Sequence, residues 1–547
     1  MSSAPAGAAS PAWQPRTLRE VLQATTAARG PNDALVTDRM RLNYQEISDK
    51  SWQMARAMHA LGVRRGDHIG ILMSNNAAWV TLFFGAALIG AVTVPVNTRF
   101  KSAELGFCLK QADVKTLFLT DRFLNIDFMA FLREAEPAVD TALPGTQLPL
   151  LSRLVVMGED VPPSALGWKA FRALADGVDE AEFSAATAAV QATDLLLIQF
   201  TSGTTAYPKG VMLTHDNMLH NAWAAGQRLG VVADDRYFNC RPFYHVAGTT
   251  LSLLVALSYG ACLVTLPTFE AGAALKLMQA ERCTLTSGND TLFQLLMGHA
   301  DFDPKKLHLR GGWVAAGPQT VRKIIEVMGA KYMCTAYGLS EASPNVVMND
   351  WRDPEELRVN GLPLPHPGVE LRIADADNHA LPPNTPGEIQ VRGWNIMRGY
   401  YNNPEATAKT FTADGWLRTG DLGTLNAEGR LAMSGRLKDV FRVGGENVAP
   451  AEVEEVLLAH PAVATAQVIG VPDARLGEVP AAYVTLKAGG AAQPEELIAW
   501  CKARCANFRV PRHVRVVESF ESIGMTGSGK VQKNKLREFA LTDFGLA

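Results

Sequence analysis

Two long apolar runs constrain this fold most, because each is about as long as a membrane span. They read "WVTLFFGAALIGAVTVPV" at residues 79–96 and "TTLSLLVALSYGACLVTL" at residues 249–266. Each run contains a Gly-Ala pair and then resumes with β-branched residues, and Pro95 interrupts the first run. The pattern therefore predicts, in each run, a buried helix, a turn and a buried strand rather than a transmembrane helix.

The rest of the chain also alternates between short strand-like runs and helix-like stretches. The clearest runs are "HIGILM" (68–73), "TLFLT" (116–120) and "LLLIQF" (195–200). This alternation predicts an α/β fold with mainly parallel sheets covered by helices. The repeated helix–Gly-Ala–strand pattern indicates two related α/β subdomains.

The chain has 547 residues, so two or more domains are expected. After about residue 435 the pattern becomes helix, strand, strand, helix, strand, which predicts a small α+β domain. The predicted organisation is a disordered leader (1–18), a large N-terminal domain (19–435) and a C-terminal domain (441–547).

Charge and cysteine content exclude several classes of protein. The formal net charge is −3, which gives no overall field to attract nucleic acid or an anionic membrane. The seven cysteines are odd in number and lack C-x-x-C or zinc spacing, so we expect reduced thiols. The first residues lack the basic and apolar regions of a signal peptide, and we expect a cytoplasmic protein.

The segment "QFTSGTTAYPKGV" (199–211) follows a predicted buried strand. Its small residues allow a close approach of the backbone to a ligand, and its hydroxyl and N–H groups can donate to an anion. Lys209 adds a point charge. The segment fits a phosphate-binding loop, and a surface loop with a chance lysine is the alternative.

Further motifs occur in order along the chain: "TAYGLSEAS" (335–343), "WLRTGDLG" (416–423), "SGRLKDVFRVGGENVAPAEVE" (434–454) and "TGSGKVQKNKLRE" (526–538). With the loop above, they resemble the conserved segments of the adenylate-forming superfamily, which includes acyl-CoA synthetases, luciferases and peptide-synthetase adenylation domains. The resemblance extends over almost the whole chain.

One competing motif is "GMTGSGKV" (524–531), which nearly fits the P-loop pattern of other nucleotide-binding proteins. Val531 stands where that pattern needs a hydroxyl for Mg²⁺. The residues that follow are also too few to form the remaining βα units of such a domain. We therefore do not interpret this segment as a P-loop.

The resemblance implies a reaction in two steps that uses ATP, Mg²⁺ and coenzyme A. A carboxylate attacks the α-phosphorus of ATP to give an acyl-adenylate and pyrophosphate, and a thiol then displaces AMP. Lys530 would be the main catalyst of the first step, with Lys209 on the phosphates and Glu341 as the Mg²⁺ ligand. The neighbouring Lys533 and Lys535 fit a solvated basic face, with contact to CoA phosphates as the alternative.

The same resemblance assigns a set of residues to the nucleotide. Asp421 and Arg436 would hold the ribose, and a carboxylate suits a vicinal diol because it only accepts hydrogen bonds. Tyr337 would lie against the adenine, or else be a buried core tyrosine. The full predicted set is Thr201, Ser202, Gly203, Thr204, Thr205, Ala315, Ala316, Gly317, Tyr337, Gly338, Ser340, Asp421 and Arg436.

The resemblance also implies a mobile C-terminal domain. The hinge would span residues 436–440 around Lys438 and Asp439. Rotation about it would exchange Lys530 for the segment "VGGEN" (443–447) at the site. Gly444, Gly445 and Glu446 would then line the CoA tunnel, although a simple tight turn is the alternative.

The predicted acyl pocket is lined by His245, Trp313 and Asn289. The segment "RPFYHVAG" (241–248) has no acidic residue to hold an amine, so an amino acid substrate is not expected. His245 could instead be a core histidine. Trp313 would narrow the cavity and favour medium-chain, cyclic or aryl acids. Asp290 either faces solvent or binds a polar group of the substrate.

These observations predict an ATP-dependent carboxylic acid–CoA ligase that acts on a medium- to long-chain fatty, cyclic or aryl acid. A ligase that loads a carrier protein is the alternative. A catalytically silent binding protein would need loss of Lys530, Glu341 or Asp421, and all three are present. The expected partners are small molecules, and a homodimer is left open.

Overall fold

The computed structural model describes residues 13–201, 208–487, 489–525 and 531–546. None of the described helices is long and apolar enough to cross a membrane. Both apolar runs form the predicted helix–turn–strand units. Gly90 and Gly260 follow the two helices with positive φ values of 70° and 68°, a conformation that glycine adopts without strain.

The described α-helices, in chain order, are α1 Leu18–Arg29, α2 Tyr44–Ala60, α3 Ala77–Leu88, α4 Ser102–Gln111, α5 Phe128–Ala135, α6 Trp168–Ala173, α7 Glu180–Ala188, α8 His215–Leu229, α9 Val246–Gly248, α10 Val255–Tyr259, α11 Ala271–Ala280, α12 Asp290–Gly298, α13 Pro318–Met328, α14 Glu355–Val359, α15 Pro404–Thr410, α16 Pro450–Leu458, α17 Pro494–Lys502, α18 Glu521–Gly524 and α19 Lys533–Asp543.

The described strands are β1 Asp33–Val36, β2 Arg41–Asn43, β3 His68–Leu72, β4 Val92–Pro95, β5 Thr116–Thr120, β6 Arg122–Phe123, β7 Ile126–Asp127, β8 Arg153–Met157, β9 Ala165–Gly167, β10 Leu195–Thr201, β11 Lys209–Thr214, β12 Arg236–Asn239, β13 Cys262–Thr265, β14 Leu285–Asn289, β15 Gly311–Ala315, β16 Tyr332–Gly338, β17 Asn345–Met348, β18 Leu364–Pro365, β19 Val369–Ala374, β20 Gly387–Gly393, β21 Leu417–Leu425, β22 Leu431–Arg436, β23 Phe441–Val443, β24 Glu446–Val448, β25 Val463–Asp473, β26 Gly477–Leu486 and β27 His513–Val516.

Two large sheets carry most of the N-terminal part of the chain. The first has the order β11-β10-β4-β3-β5-β8-β9, and the second has the order β18-β17-β16-β15-β14-β12-β13-β1-β2. Their central strands pair in parallel, whereas β10–β11, β16–β17, β17–β18 and β1–β2 are antiparallel. The predicted α/β class with mainly parallel sheets is therefore confirmed.

Two smaller sheets complete the fold. Strands β19 to β22 form an antiparallel sheet that the sequence analysis did not anticipate. Strands β23 to β27 form a sheet with a separate apolar core that runs from Phe441 to Ala540. Each helix and strand predicted after residue 435 is present there, and β23, β24, α18 and α19 are additional.

The N-terminal residues correct one expectation. Trp13 stacks on His220 with ring centroids 5.0 Å apart, and its Nε1 donates to Asp216 at 2.7 Å. Thr17 then caps α1 in a reciprocal pair with Glu20. A disordered leader over residues 1–18 is thus wrong for residues 13–18, and residues 1–12 lie outside the described part.

A neutral histidine holds the start of α1. The Leu18 N–H donates to Nδ1 of His215 at 3.1 Å, so this nitrogen must be unprotonated. His215 is fully buried, and burial lowers its pKa to about 4.

This buried histidine generates a prediction about acid stability. The folded state keeps His215 neutral, whereas the unfolded chain takes up a proton near the ordinary pKa, so stability falls as the pH drops from about 6.5 towards 4. Between about pH 7 and pH 5 this group should cost about 2 kcal/mol of unfolding free energy. In His215→Asn the Asn Oδ1 can accept from the Leu18 N–H without titrating. The free energy of unfolding of this variant should therefore fall by about 2 kcal/mol less than that of the wild type over the same pH interval. Urea titrations at both pH values measure the difference, and equal losses in the two proteins would refute it.

Candidate active site

The site begins at the carboxyl ends of three parallel neighbours, β14, β15 and β16. Asn289 pairs with Ala315, and Val314 pairs with Thr335, so these strands end at one edge of the sheet. Ligands bind at this edge in open α/β sheets. Ala315 and Gly317 are exposed there, and a Cβ on Gly317 would meet nothing within 4 Å.

Asp290 lies next to this edge. The Thr320 side chain and the Gly317 backbone lie beside its carboxylate and favour its charged form, while burial raises its pKa. Asp290 is half-buried and therefore does not face solvent freely. Its contacts instead fix the turn between β15 and α13, where the adenine was predicted to lie.

Tyr337, Asp421 and Arg436 form a connected polar group. The Tyr337 hydroxyl donates to Asp421 Oδ2 at 2.8 Å, and Arg436 Nε lies 3.4 Å from Asp421 Oδ1. The ion pair follows from strand pairing, since Asp421 on β21 is the direct partner of Arg436 on β22. Burial, together with the Asp421 charge, raises the pKa of Tyr337 well above its ordinary value, so the phenol remains a donor.

A second group contains Glu341, Tyr400 and Lys209. The Tyr400 hydroxyl donates to Glu341 Oε1 at 2.8 Å, and Lys209 Nζ lies 4.7 Å from the centre of the Tyr400 ring. Burial and the nearby Glu341 raise the pKa of Tyr400, which keeps its hydroxyl protonated. One Glu341 oxygen takes this hydrogen bond, and the carboxylate keeps further lone pairs for a hard cation.

Tyr400 is a site residue that the sequence analysis missed. The segment around it runs beside β11: the Tyr401 N–H donates to Gly210 O, and the Met212 N–H donates to Gly399 O. This pairing brings Tyr400 next to Lys209, although the two are far apart in the chain. No motif in "MRGYYN" (397–402) indicated the contact.

The two predicted phosphate-binding elements are only partly described. Thr201 ends β10, Lys209 begins β11, and the two are direct partners in the antiparallel ladder. Ser202, Gly203, Thr204 and Thr205 lie outside the described residues. Lys530 also lies outside them, between Met525 and Val531, which form an antiparallel bridge. The roles of these residues stay predictions.

The predicted acyl-pocket residues lie around the ends of β12, β14 and β15. His245 Nδ1 accepts from the Ala247 N–H at 3.2 Å, and Asn289 Oδ1 caps α12 through the Leu292 N–H at 3.0 Å. Trp313 is buried beneath the guanidinium of Arg241, which lies 4.5 Å from the indole centre. Asn289 and His245 thus each have a local structural role as well.

The helix after His245 departs from regular α geometry. Residues Thr249–Leu254 form a π-helix whose side chains are all buried. Such segments are rare and are frequent at functional sites. This one follows the segment that was predicted to line the acyl pocket.

The predicted hinge contains one helical turn, and the predicted CoA-binding segment is a β-hairpin turn. Residues Leu437–Asp439, which include Lys438, form one 3₁₀ turn, and burial lowers the pKa of Lys438. Gly444 and Gly445 join β23 to β24 with φ values of 58° and 98°, a hairpin turn that favours glycine. Glu446 begins β24 and is exposed.

Lys533 corrects another expectation. Its Nζ contacts Glu454 Oε1 at 2.6 Å and donates to Val468 O at 3.1 Å. It therefore ties α19 to α16 and β25 rather than belonging to a solvated basic face. Lys535 is exposed, as expected.

Family models match most of the chain. The AMP-binding enzyme model matches residues 22–401, and the AMP-binding enzyme C-terminal domain model matches residues 452–530.

Named relatives match over nearly their full length. The chain is 36% identical over 543 residues to a putative acyl-CoA synthetase, YngI, of Bacillus subtilis, covering 97% of this chain and 98% of the relative. It is 37% identical to the 3-[(3aS,4S,7aS)-7a-methyl-1,5-dioxo-octahydro-1H-inden-4-yl]propanoyl:CoA ligase of Rhodococcus jostii, with coverages of 96% and 99%. It is 33% identical to the mitochondrial medium-chain acyl-CoA ligase ACSF2 of Mus musculus, with coverages of 95% and 87%.

Solved structures agree with these matches. The anthranilate CoA ligase AuaEII in complex with anthranoyl-AMP has a TM-score of 0.85 and 26% identity, covering 97% of this chain and 98% of its own. ATP-bound MatB of Rhodopseudomonas palustris has a TM-score of 0.80 and 26% identity, with coverages of 96% and 99%. The chain therefore belongs to the AMP-binding enzymes, the adenylate-forming family of acyl-CoA synthetases and ligases that its motifs indicated.

Proposed function

We propose that this chain is an ATP-dependent carboxylic acid–CoA ligase that works through an acyl-adenylate. The observation that carries the proposal is a pair of polar groups at the end of β16, the strand that carries Tyr337 and precedes Glu341. Tyr337, Asp421 and Arg436 form one group, and Lys209, Tyr400 and Glu341 form the other. The first suits a ribose diol, and the second suits phosphates with a hard cation.

In the first step, an oxygen of the substrate carboxylate bonds to the α-phosphorus of ATP. The bond from that phosphorus to the bridging oxygen breaks, and pyrophosphate leaves. Two anions must approach each other, so the site has to supply cations and aligned donors. Lys209, the first residue of β11, would supply a cation, and Thr201 and residues 202–205 would donate to the β and γ phosphates.

The nucleotide would bind across the strand ends. Ala315, Ala316 and Gly317 would lie along one face of the adenine, with Tyr337 near it. Gly338 and Ser340 would approach the phosphates. Gly338 also has a packing role, because a Cβ at this position would lie 1.9 Å from Pro344 O. When bound, Mg²⁺ would neutralise phosphate charge, and Glu341 is the carboxylate suited to hold it.

In the second step, the thiolate sulfur of CoA bonds to the acyl carbon and AMP leaves. We place the CoA arm beside Gly444, Gly445 and Glu446, after a rotation about Lys438 and Asp439. Both glycines lack a Cβ, which leaves room for the narrow pantetheine chain. The same rotation would withdraw Lys530 from the α-phosphate. The domain boundaries at residues 435 and 441 belong to this proposal.

The acid itself would lie among His245, Trp313 and Asn289. The relatives above are named as ligases of medium-chain, cyclic and aromatic acids, which supports a substrate of that range. All these names specify CoA, and CoA is therefore preferred over a carrier protein as acceptor. The seven unpaired cysteines support a reducing, cytoplasmic setting, and a homodimer remains a hypothesis.

The direct test is an assay of the wild-type protein with ATP, Mg²⁺, CoA and a pooled set of fatty, cyclic and aryl acids. Mass spectrometry should detect acyl-CoA together with AMP and pyrophosphate. Acyl-adenylate without acyl-CoA would instead favour a carrier-protein acceptor, and the absence of both would reject the ligase.

The Lys530 role has a separate test. Lys530→Ala should lower adenylate formation by at least about 100-fold, because it removes a cation that contacts the transition state. Thioester formation from supplied acyl-adenylate should change little, since Lys530 would be withdrawn in that step. Lys535→Ala, an exposed lysine in the same segment, is the matched control and should keep both activities. Equal loss of both steps in a folded Lys530→Ala protein would contradict the two-conformation account.

The metal assignment is tested through Tyr400. Tyr400→Phe removes the hydrogen bond that orients Glu341 and should raise the Mg²⁺ concentration for half-maximal adenylation by about tenfold. Glu341→Gln should raise it further. Tyr401→Phe is the matched control, because its hydroxyl donates to Asp113 instead, at 2.9 Å. The measurement is ATP–pyrophosphate exchange as a function of Mg²⁺ concentration. An unchanged Mg²⁺ dependence in Glu341→Gln would show that Glu341 is not a metal ligand.

A further inference from the structure

Arg241 lies in the predicted acyl-binding region, directly after β12. Its Nη2 donates to Gly288 O at 2.8 Å, and its guanidinium lies over Trp313. The loop that carries it is well held. Asn75 Nδ2 and Asn239 Nδ2 both donate to the Arg241 carbonyl, at 2.8 Å and 2.7 Å. The position of this cation is therefore fixed by the fold.

Arg241 has no acidic partner in the described part of the chain, and its Nε is buried without a hydrogen-bond acceptor. Two other enclosed arginines, by contrast, are compensated. Arg310 pairs with Asp235 at 2.5 Å, and Arg358 donates to the carbonyls of three residues. A guanidinium stays charged even where burial lowers its pKa, as it does here. One carbonyl and an aromatic face leave most of this charge uncompensated.

Arg241 and its chain neighbours are half-buried rather than sealed in the core. Cys240, Arg241, Tyr244 and His245 each keep part of their surface accessible. Arg241, Tyr244 and His245 belong to the segment predicted to line the acyl pocket, and the Arg241 guanidinium lies over Trp313, another predicted pocket residue. We therefore place the cation beside the predicted acyl pocket.

Further polar atoms lie close by. The side chains of Ser252, Ser287 and Trp313 lie beside the Tyr237 hydroxyl, and Arg241 is close enough to influence its pKa. These four side chains are buried, and their polar atoms lie next to one another. The region around Arg241 is therefore polar without supplying a negative charge to the guanidinium.

We propose that Arg241 binds a second carboxylate on the acyl substrate, so that the enzyme prefers dicarboxylic acids, activating one carboxyl group and holding the other. This inference rests on the proposed ligase function. A planar guanidinium matches a carboxylate with two parallel hydrogen bonds, and the ligand charge would offset the buried cation. A site built this way rejects analogues that lack the matching group, because its own polar atoms then stay unpaired.

The test compares α,ω-dicarboxylic acids with monocarboxylic acids and ω-oxo acids of equal carbon number, in the CoA ligase assay. The wild-type kcat/KM should be at least about 30-fold higher for the best diacid than for the methyl-ended acid of that length. Arg241→Met should lose at least about 30-fold on the diacid and gain on the methyl-ended acid. Arg241→Lys keeps the charge but loses the two parallel donors of the guanidinium. Its kcat/KM on the diacid should lie between those of the wild type and Arg241→Met.

A stability measurement separates recognition from a structural role. Without ligand, the melting temperature of Arg241→Met should not fall, because the substitution removes an uncompensated buried charge. A structural arginine would give a lower melting temperature and equal losses on all acids. Arg39→Met, at a position whose side chain is 89% exposed, controls for loss of charge alone and should match the wild type.

Several outcomes would overturn the proposal. A wild-type preference for methyl-ended acids, or for ω-oxo acids over diacids, would show that the enzyme does not recognise a second carboxylate. The same holds if Arg241→Met leaves the diacid preference unchanged. These results differ from failure of the ligase assignment, in which no acid of any class yields acyl-CoA.

Discussion

The parallel pairing of β14, β15 and β16 is the constraint on which the rest of the site depends. It places Asn289, Ala315 and Gly338 at one edge of the sheet, although they come from separate parts of the chain. The strands approach closely, since a Cβ on Gly312, at φ 138°, would lie 1.7 Å from Thr286 O. Only glycine fits this position, so the sequence itself contributes to holding the edge together.

Each of the two carboxylates of the candidate site, Asp421 and Glu341, is oriented by a phenol. Tyr337 donates to Asp421, and Tyr400 donates to Glu341. Burial raises the pKa of both phenols, which keeps them protonated and therefore able to donate. An oriented carboxylate loses little freedom when a ligand arrives, which is the advantage of a site formed before binding.

Much of this structure could be predicted from the sequence. Apolar runs broken at Gly-Ala predicted the buried units, and ordered motifs placed Tyr337, Asp421 and Glu341. The residues it did not reveal make contacts between distant segments. Tyr400 lies 59 positions from its partner, and Trp13 lies 203 positions from Asp216. Local periodicity carries no information about such pairs.

Arg241 shows the same limit in another form. In the sequence Arg241 is one more cation before a proline, in a segment where the absence of an acid and the presence of His245 are the informative features. Whether the charge of Arg241 is compensated depends on its neighbours after folding. These are the face of an indole and one carbonyl, with no carboxylate among the described residues. Charge balance inside a fold can be judged only once the neighbours are known.

The hydrogen bond between Tyr400 and Glu341 has a consequence for how the metal would reach the site. One oxygen of the carboxylate is already engaged, and no group of three or more potential metal ligands among the described residues includes Glu341. Mg²⁺ sheds its water reluctantly and needs six oxygens, so a lone carboxylate is a poor trap for the free ion. With Glu341 in the proposed role, the phosphates would supply the missing oxygens. Metal and nucleotide would then enter as one complex and leave together with the pyrophosphate.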